Sequence, residues 1–139
     1  MNKFDYLRTA ELNAEARGVT LTAPATLYAA YSTTAWIASD TGSTAKEPVS
    51  DGYTRVALST TGLFAAPAVV GGIMQMATLV DINFPLNTTA DHGMIPYIAF
   101  FDAASAGNGY RFGTLTTPKL IQVGDFLKLP AGSLIFGEQ

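Results

Sequence analysis

Apolar and polar positions change rhythm once along this chain. Over residues 3–17, Phe4, Leu7, Ala10 and Ala14 recur at spacings of three and four, which is the period of a helix with one apolar stripe. Asn2 offers a cap, Asp5 an acidic first turn, Arg17 a basic last turn and Gly18 a stop. The stripe is narrow, so the predicted helix docks on other structure instead of forming a core itself.

After Gly18, short runs rich in Val, Ile, Thr, Tyr and Phe alternate with clusters of Gly, Pro, Asn and Asp, the signature of strands and turns. Strands are predicted over 26–31, 34–38, 53–59, 73–84, 95–101, 110–115, 120–123, 126–129 and 134–136. Val56 and Leu58 face one way while Arg55, Ala57 and Ser59 face the other. The run from Tyr97 to Phe101 is apolar on both faces and marks a central strand. Turns are signalled at Ser50-Asp51-Gly52, Gly107-Asn108-Gly109 and Gly124-Asp125, the last two between hairpin arms. Residues 40–51 read as a polar surface excursion. The expected fold is all-β, an antiparallel β-sandwich or jelly-roll-like architecture with a short N-terminal helix. Residues 1–18 form the helical arm and 19–139 a single β-sandwich domain.

Composition narrows the function. A chain of 139 residues is one domain that buries about two-thirds of its surface. It has no cysteine, which removes disulfides, thiolate zinc sites and a cysteine nucleophile together. Charged residues are 14% of the chain and apolar ones 48%, which excludes simple disorder. A net charge of −3 argues against a nucleic-acid partner. No apolar segment of a signal peptide is visible near the N-terminus. Between Arg55 and Asp81 no charge occurs, and Leu63–Val80 approaches membrane-spanning length. Pro67, Gly71, Gly72 and Gln75 interrupt it and no basic cluster flanks it. It reads as a buried or assembly-facing segment, with no membrane partner.

Candidate chemistry is sparse. The single histidine, His92, lies in a turn-like stretch without a nucleophile motif around it. Asp81, Asp91, Asp102 and Asp125 sit near strand ends without calcium-loop spacing and suit turn capping. Gly71-Gly72 and Gly107-Asn108-Gly109 are turns or bulges, since a phosphate loop needs a following helix and its Lys-Ser/Thr pair. Trp36 and the six tyrosines fit a core better than a sugar-binding patch. No catalytic, cofactor-binding or metal-ligating residue is assigned, and no enzyme activity is expected.

Several stretches together resemble small tailed-phage virion proteins commonly labelled tail fibre proteins. They are Ala23-Pro24-Ala25-Thr26-Leu27-Tyr28, Gly52-Tyr53-Thr54-Arg55 after a polar loop, and Ile82-Asn83-Phe84-Pro85. The closest likeness runs from Phe101-Asp102-Ala103-Ala104 through Gly107-Asn108, Leu115-Thr116, Pro118-Lys119 and Gly124-Asp125 to Ala131-Gly132. The likeness covers most of the chain. Leu63–Val80 is longer and more apolar than the pattern, and His92-Gly93-Met94-Ile95-Pro96 replaces a Trp-Gly-like segment.

The resemblance implies a non-enzymatic virion protein assembled in the host bacterial cytoplasm. The leading expectation is a capsid decoration, or cement, protein that binds the major capsid protein as a homotrimer. A tail fibre or tail adaptor component is the alternative, and a carbohydrate-binding β-module the third. Contacts with the shell are expected at Phe4, Leu7 and Arg8. Contacts between copies are expected at Leu63, Phe64, Val69, Val70, Ile73, Met74 and Met76.

Overall fold

The helix begins later than its periodicity predicts, because the residues before it are drawn into a sheet. In the computed structural model, which describes residues 1–49 and 52–138, Asn2 and Lys3 pair with Phe112 and Arg111. Ser50 and Asp51, part of one expected turn, and Gln139 lie outside the described residues. In chain order the elements are β1 (Asn2–Lys3), α1 (Asp5–Ala16), β2 (Thr26–Ser32), β3 (Val56–Ser59) and β4 (Ala68–Val70). There follow β5 (Ile73–Ala77), β6 (Ile82–Asn83), β7 (Gly93–Phe101), β8 (Gly109–Ile121), β9 (Lys128–Leu129) and β10 (Ile135–Glu138). The fold is all-β with one short helix, and every strand pairing is antiparallel.

Phe4, not Asn2, occupies the helix N-cap, and its side chain makes no capping bond. The C-terminal stop is as expected: Gly18 has φ +68°, and the Val19 amide reaches back to the Asn13 carbonyl. No helix among the described residues is long and apolar enough to cross a membrane.

A five-stranded sheet, ordered β1-β8-β7-β2-β3, forms the centre. Its strands β7 and β2 carry apolar residues on both faces, so both faces need a cover. One face presents Leu27, Ala29, Tyr31, Ile98 and Phe100. It packs on Leu63, Ile82, Leu129 and Phe136, which come from the smaller sheets β10-β5-β4 and β6-β9 and the segment before β4. Phe100 meets Phe136 edge-on at 5.2 Å between ring centroids. The other face presents Ala30, Ala99 and Phe101, and Phe4 and Trp36 close over them. Each fully buried aromatic or aliphatic side chain here stabilises the fold by about 1.5–3 kcal/mol.

Three departures from the expected strands have physical causes. The predicted strand 34–38 is loop, because Trp36 folds onto Phe101 as a cover and does not extend a sheet. The predicted strand 73–84 is broken into β5 and β6, and 68–70 adds β4 before it. Gly71 and Gly72 turn the chain between β4 and β5 with φ of +59° and +81°, the backbone of a two-residue hairpin turn that L-residues with a Cβ rarely adopt. The predicted strands 110–115 and 120–123 merge into the single long β8, and Pro96 of β7 falls where the β7–β8 register shifts.

Candidate assembly surface

The hairpin of β4 and β5 is anchored at its base and bare at its tip. Leu63, 1% exposed, is in the core, and Phe64 stacks on Phe136 at 4.3 Å. The Leu79 amide donates to the Leu63 carbonyl and the Ala65 amide to the Ala77 carbonyl, extending the ladder below the named strands. Val70 pairs with Ile73, Val69 with Met74 and Ala68 with Gln75. Towards the tip, Val69 is 65% exposed, Val70 54%, Met74 43% and Ile73 36%. Leu79 and Val80, which follow β5, are exposed as well. Contiguous exposed apolar side chains of this kind mark interaction sites.

The residues expected at contacts therefore separate. Val69, Val70, Ile73 and Met74 are all exposed, Val69 with Met74 on one face of the hairpin and Val70 with Ile73 on the other. Leu63 belongs to the core, and Phe64 and Met76 pack partly buried against it. At the helix, Phe4 and Leu7 are also core residues, at 0% and 7% exposure, so they face this chain's own sheet and not a shell. Arg8 is exposed and pairs with Asp5 at 3.0 Å, one turn back along the same helix.

Beside the helix lies a groove of about 720 Å³ between α1, β1 and the end of β10, with Ala38 and Phe112 in its walls. Lys3 Nζ donates to Glu11 at 2.7 Å and to Glu138 at 2.5 Å. Arg111 donates to the other Glu138 oxygen at 2.6 Å and to the Gly137 carbonyl at 3.1 Å. Burial works against the charge on Lys3, but its bonds to the two glutamates outweigh that and hold its pKa above the usual lysine value. Burial pushes Glu138 up, yet Lys3 and Arg111 together bring it below the usual carboxylate value. Lys3, Glu11 and Glu138 in the groove are thus already matched by ion pairs.

A second polar cluster straps the loop 40–48 to the sheet. Arg55, 4% exposed in its side chain, lies over the Phe101 ring at 4.2 Å. Its guanidinium pairs with Glu47 at 2.6 Å and donates to the carbonyls of Gly42, Ala103 and Ala106. The Tyr53 hydroxyl donates to Glu47 at 2.5 Å; burial, then the carboxylate, pushes its pKa far up. Gly42 sits so close to the Ala106 carbonyl that a Cβ would reach within 1.8 Å of its oxygen. What reads in sequence as a surface excursion is a fastened strap. In sequence Arg55 alternates with Ala57 and Ser59 on the face opposite Val56 and Leu58, a pattern that does not mark it as buried.

The other candidate residues are structural. Asp81, Asp91, Asp102 and Asp125 each accept a backbone amide, from Ala131, Val123, Asn108 and Gln122 respectively. That bond from Ala131 is the main reason the Asp81 carboxyl titrates below its ordinary value. His92 Nδ1 lies 2.8 Å from the Tyr31 hydroxyl. Trp36, on which a sugar-binding reading rests, is 4% exposed and packs against Phe101. Among the described residues, no group of three or more His, Asp or Glu side chains is placed to hold a metal ion.

The family model described as Podophage GP4 fiber I protein gp80 matches residues 2–137, and the chain belongs to that family. No curated protein matches the sequence.

Proposed function

We propose that this fibre-family chain is a non-enzymatic structural component of a phage virion, built into a fibre, that acts by holding neighbouring subunits. The family description as a podophage fibre protein supports the location. The observation that carries the mode of action is the β4–β5 hairpin, whose tip sets Val69, Val70, Ile73 and Met74 in water with no charged residue among them. Such a surface gains free energy at roughly 25 cal/mol for each Å² of apolar area a partner covers.

Head decoration is the second reading, in which a homotrimer sits on the major capsid protein. It is favoured by one feature: the sequence shows nothing shaft-like, neither a heptad run nor a repeat, and the chain packs over both faces of one central sheet. Quantitative mass spectrometry of purified virions against the major capsid protein separates the two. The fibre reading expects copies counted in tens or fewer, lost from particles that lack fibres. Hundreds of copies retained on fibreless heads would overturn it in favour of decoration, and absence from virions would overturn both.

A further inference from the structure

Asn108-Gly109 is the one asparagine–glycine pair in the sequence, and such a pair carries a chemistry of its own. The glycine amide nitrogen can attack the asparagine carboxamide carbon, because the glycine has no side chain to stand in the way. The new N–C bond closes a succinimide, the carboxamide C–N bond breaks, and ammonia leaves with the amide proton. Water then opens the ring to aspartate or isoaspartate. Asn108 stands exposed to that water in the turn between β7 and β8, while Gly109 beside it is buried.

The fold holds both reacting groups in place. Asp102 Oδ1 accepts the Asn108 backbone amide at 2.7 Å, and Asp102 Oδ2 accepts the carboxamide Nδ2 at 2.9 Å. The Asp102 amide in turn donates to the Asn108 carbonyl at 3.1 Å. Ala106 and Gly107, with φ of +51° and +81°, wrap the chain around this carboxylate. The fit is close enough that a Cβ on Gly107 would lie 2.5 Å from Oδ1. Arg55 fastens the same turn by donating to the carbonyls of Ala103 and Ala106. Gly109 pairs with Phe101 of β7 and lies against the Phe4 ring, with which an added Cβ would collide. Ring closure needs the carboxamide carbon to reach the Gly109 nitrogen in attack geometry. Swinging the carboxamide breaks a charge-assisted hydrogen bond, and rotating Gly109 meets β7 and Phe4.

We propose that Asn108 is a deamidation site of this chain and that Asp102 is the clamp that keeps it slow in the folded protein. Both Asp102 oxygens are taken by Asn108 itself, so the carboxylate restrains the carboxamide and does not draw the proton from Gly109. Conversion reverses the clamp. A carboxylate at position 108 loses the bond to Oδ2 and faces Asp102 as a like charge. Isoaspartate also lengthens the backbone by one methylene just before Gly109, beneath the Phe4 ring at the helix N-cap.

Mass-spectrometric peptide mapping of the full chain during prolonged incubation in mildly alkaline buffer tests this, with released ammonia measured alongside. Conversion is expected at Asn108 before any other asparagine, and at least about tenfold faster in guanidinium-unfolded chain than in folded chain. Folded Asp102→Ala is expected to convert at least about tenfold faster than folded wild type, the order that a hydrogen bond to a charged group contributes. Asp102→Asn keeps the shape and one acceptor, and is expected to fall between the two. Thermal melting checks that both variants are folded. An Asn108 that survives in the unfolded chain, or that converts as fast folded as unfolded, would overturn the proposal. So would folded Asp102 variants that convert no faster than wild type.

Discussion

β7 and the β4–β5 hairpin have nearly the same sequence texture and opposite fates. Ile98-Ala99-Phe100-Phe101 and Ala68-Val69-Val70, with Ile73-Met74 across the turn, are uncharged apolar runs. The first is wholly buried, and the second is exposed along its length. β7 lies between β2 and β8, with Phe136 over one face and Trp36 and Phe4 over the other. β4 has β5 on one side and nothing described on the other. An apolar run states a need for cover but not which molecule supplies it.

The sharpest way to break this comparison is to truncate one residue from each region. Phe100→Ala leaves a cavity between the five-stranded sheet and Phe136, and is expected to lower unfolding free energy by about 3–5 kcal/mol in urea titration. Val69→Ala, measured as a monomer at low concentration, is expected to stay within about 0.5 kcal/mol of wild type. Equal losses would mean that the hairpin tip is core after all.

Next in size is the strap that covers the second face. Arg55→Met keeps an apolar stem over Phe101 but leaves Glu47 without its ionic partner and the carbonyls of Gly42, Ala103 and Ala106 without that donor. A loss of about 3 kcal/mol is expected, since removing one member of a buried pair costs more than the pair contributes net. Protease cutting should appear first within residues 40–48. A variant as stable and as resistant as wild type would show that the strap is held by other means.

A smaller loss belongs to the charged end of β10. Glu138 titrates below its unfolded value, so the stability it gives is present above that value and fades as pH falls through the folded one. Glu138→Gln should therefore cost about 0.5–1 kcal/mol at neutral pH, modest because the carboxylate is half exposed and screened by solvent. The difference from wild type should shrink as pH falls below the ordinary carboxylate range and vanish once the folded-state carboxyl is protonated. A difference that persists in acid would place the effect in packing and not in charge.

Much of the fold was legible along the chain. The alternation after Gly18 identified the all-β class, and the doubly apolar run 97–101 marked its central strand. Of the four aspartates near strand ends, Asp102 and Asp125 accept amides from their own turns, whereas Asp81 and Asp91 accept amides from segments distant in sequence. The candidate surface was legible only in part: Leu63–Val80 stood out as charge-free, but its members looked alike. Burial then divided them, with Leu63 in the core and Val69 in water. The strap was nearly invisible, because the three carbonyls that Arg55 gathers belong to Gly42, Ala103 and Ala106, far from it in sequence, and no side-chain pattern encodes a carbonyl.

The sequence by itself determined local matters, because they depend on neighbours along the chain: the helix stop at Gly18, the glycine turn between β4 and β5, and the alternation of the strands. Tertiary structure decided the rest. It drew Asn2 and Lys3 out of the predicted helix and onto β8, since an edge of the central sheet offered them backbone partners. It gave β7 neighbours on every side and left β4 with one. Apolar residues along the chain carry the same free-energy demand wherever they stand, and only the three-dimensional arrangement of strands determines which of them the chain itself can cover.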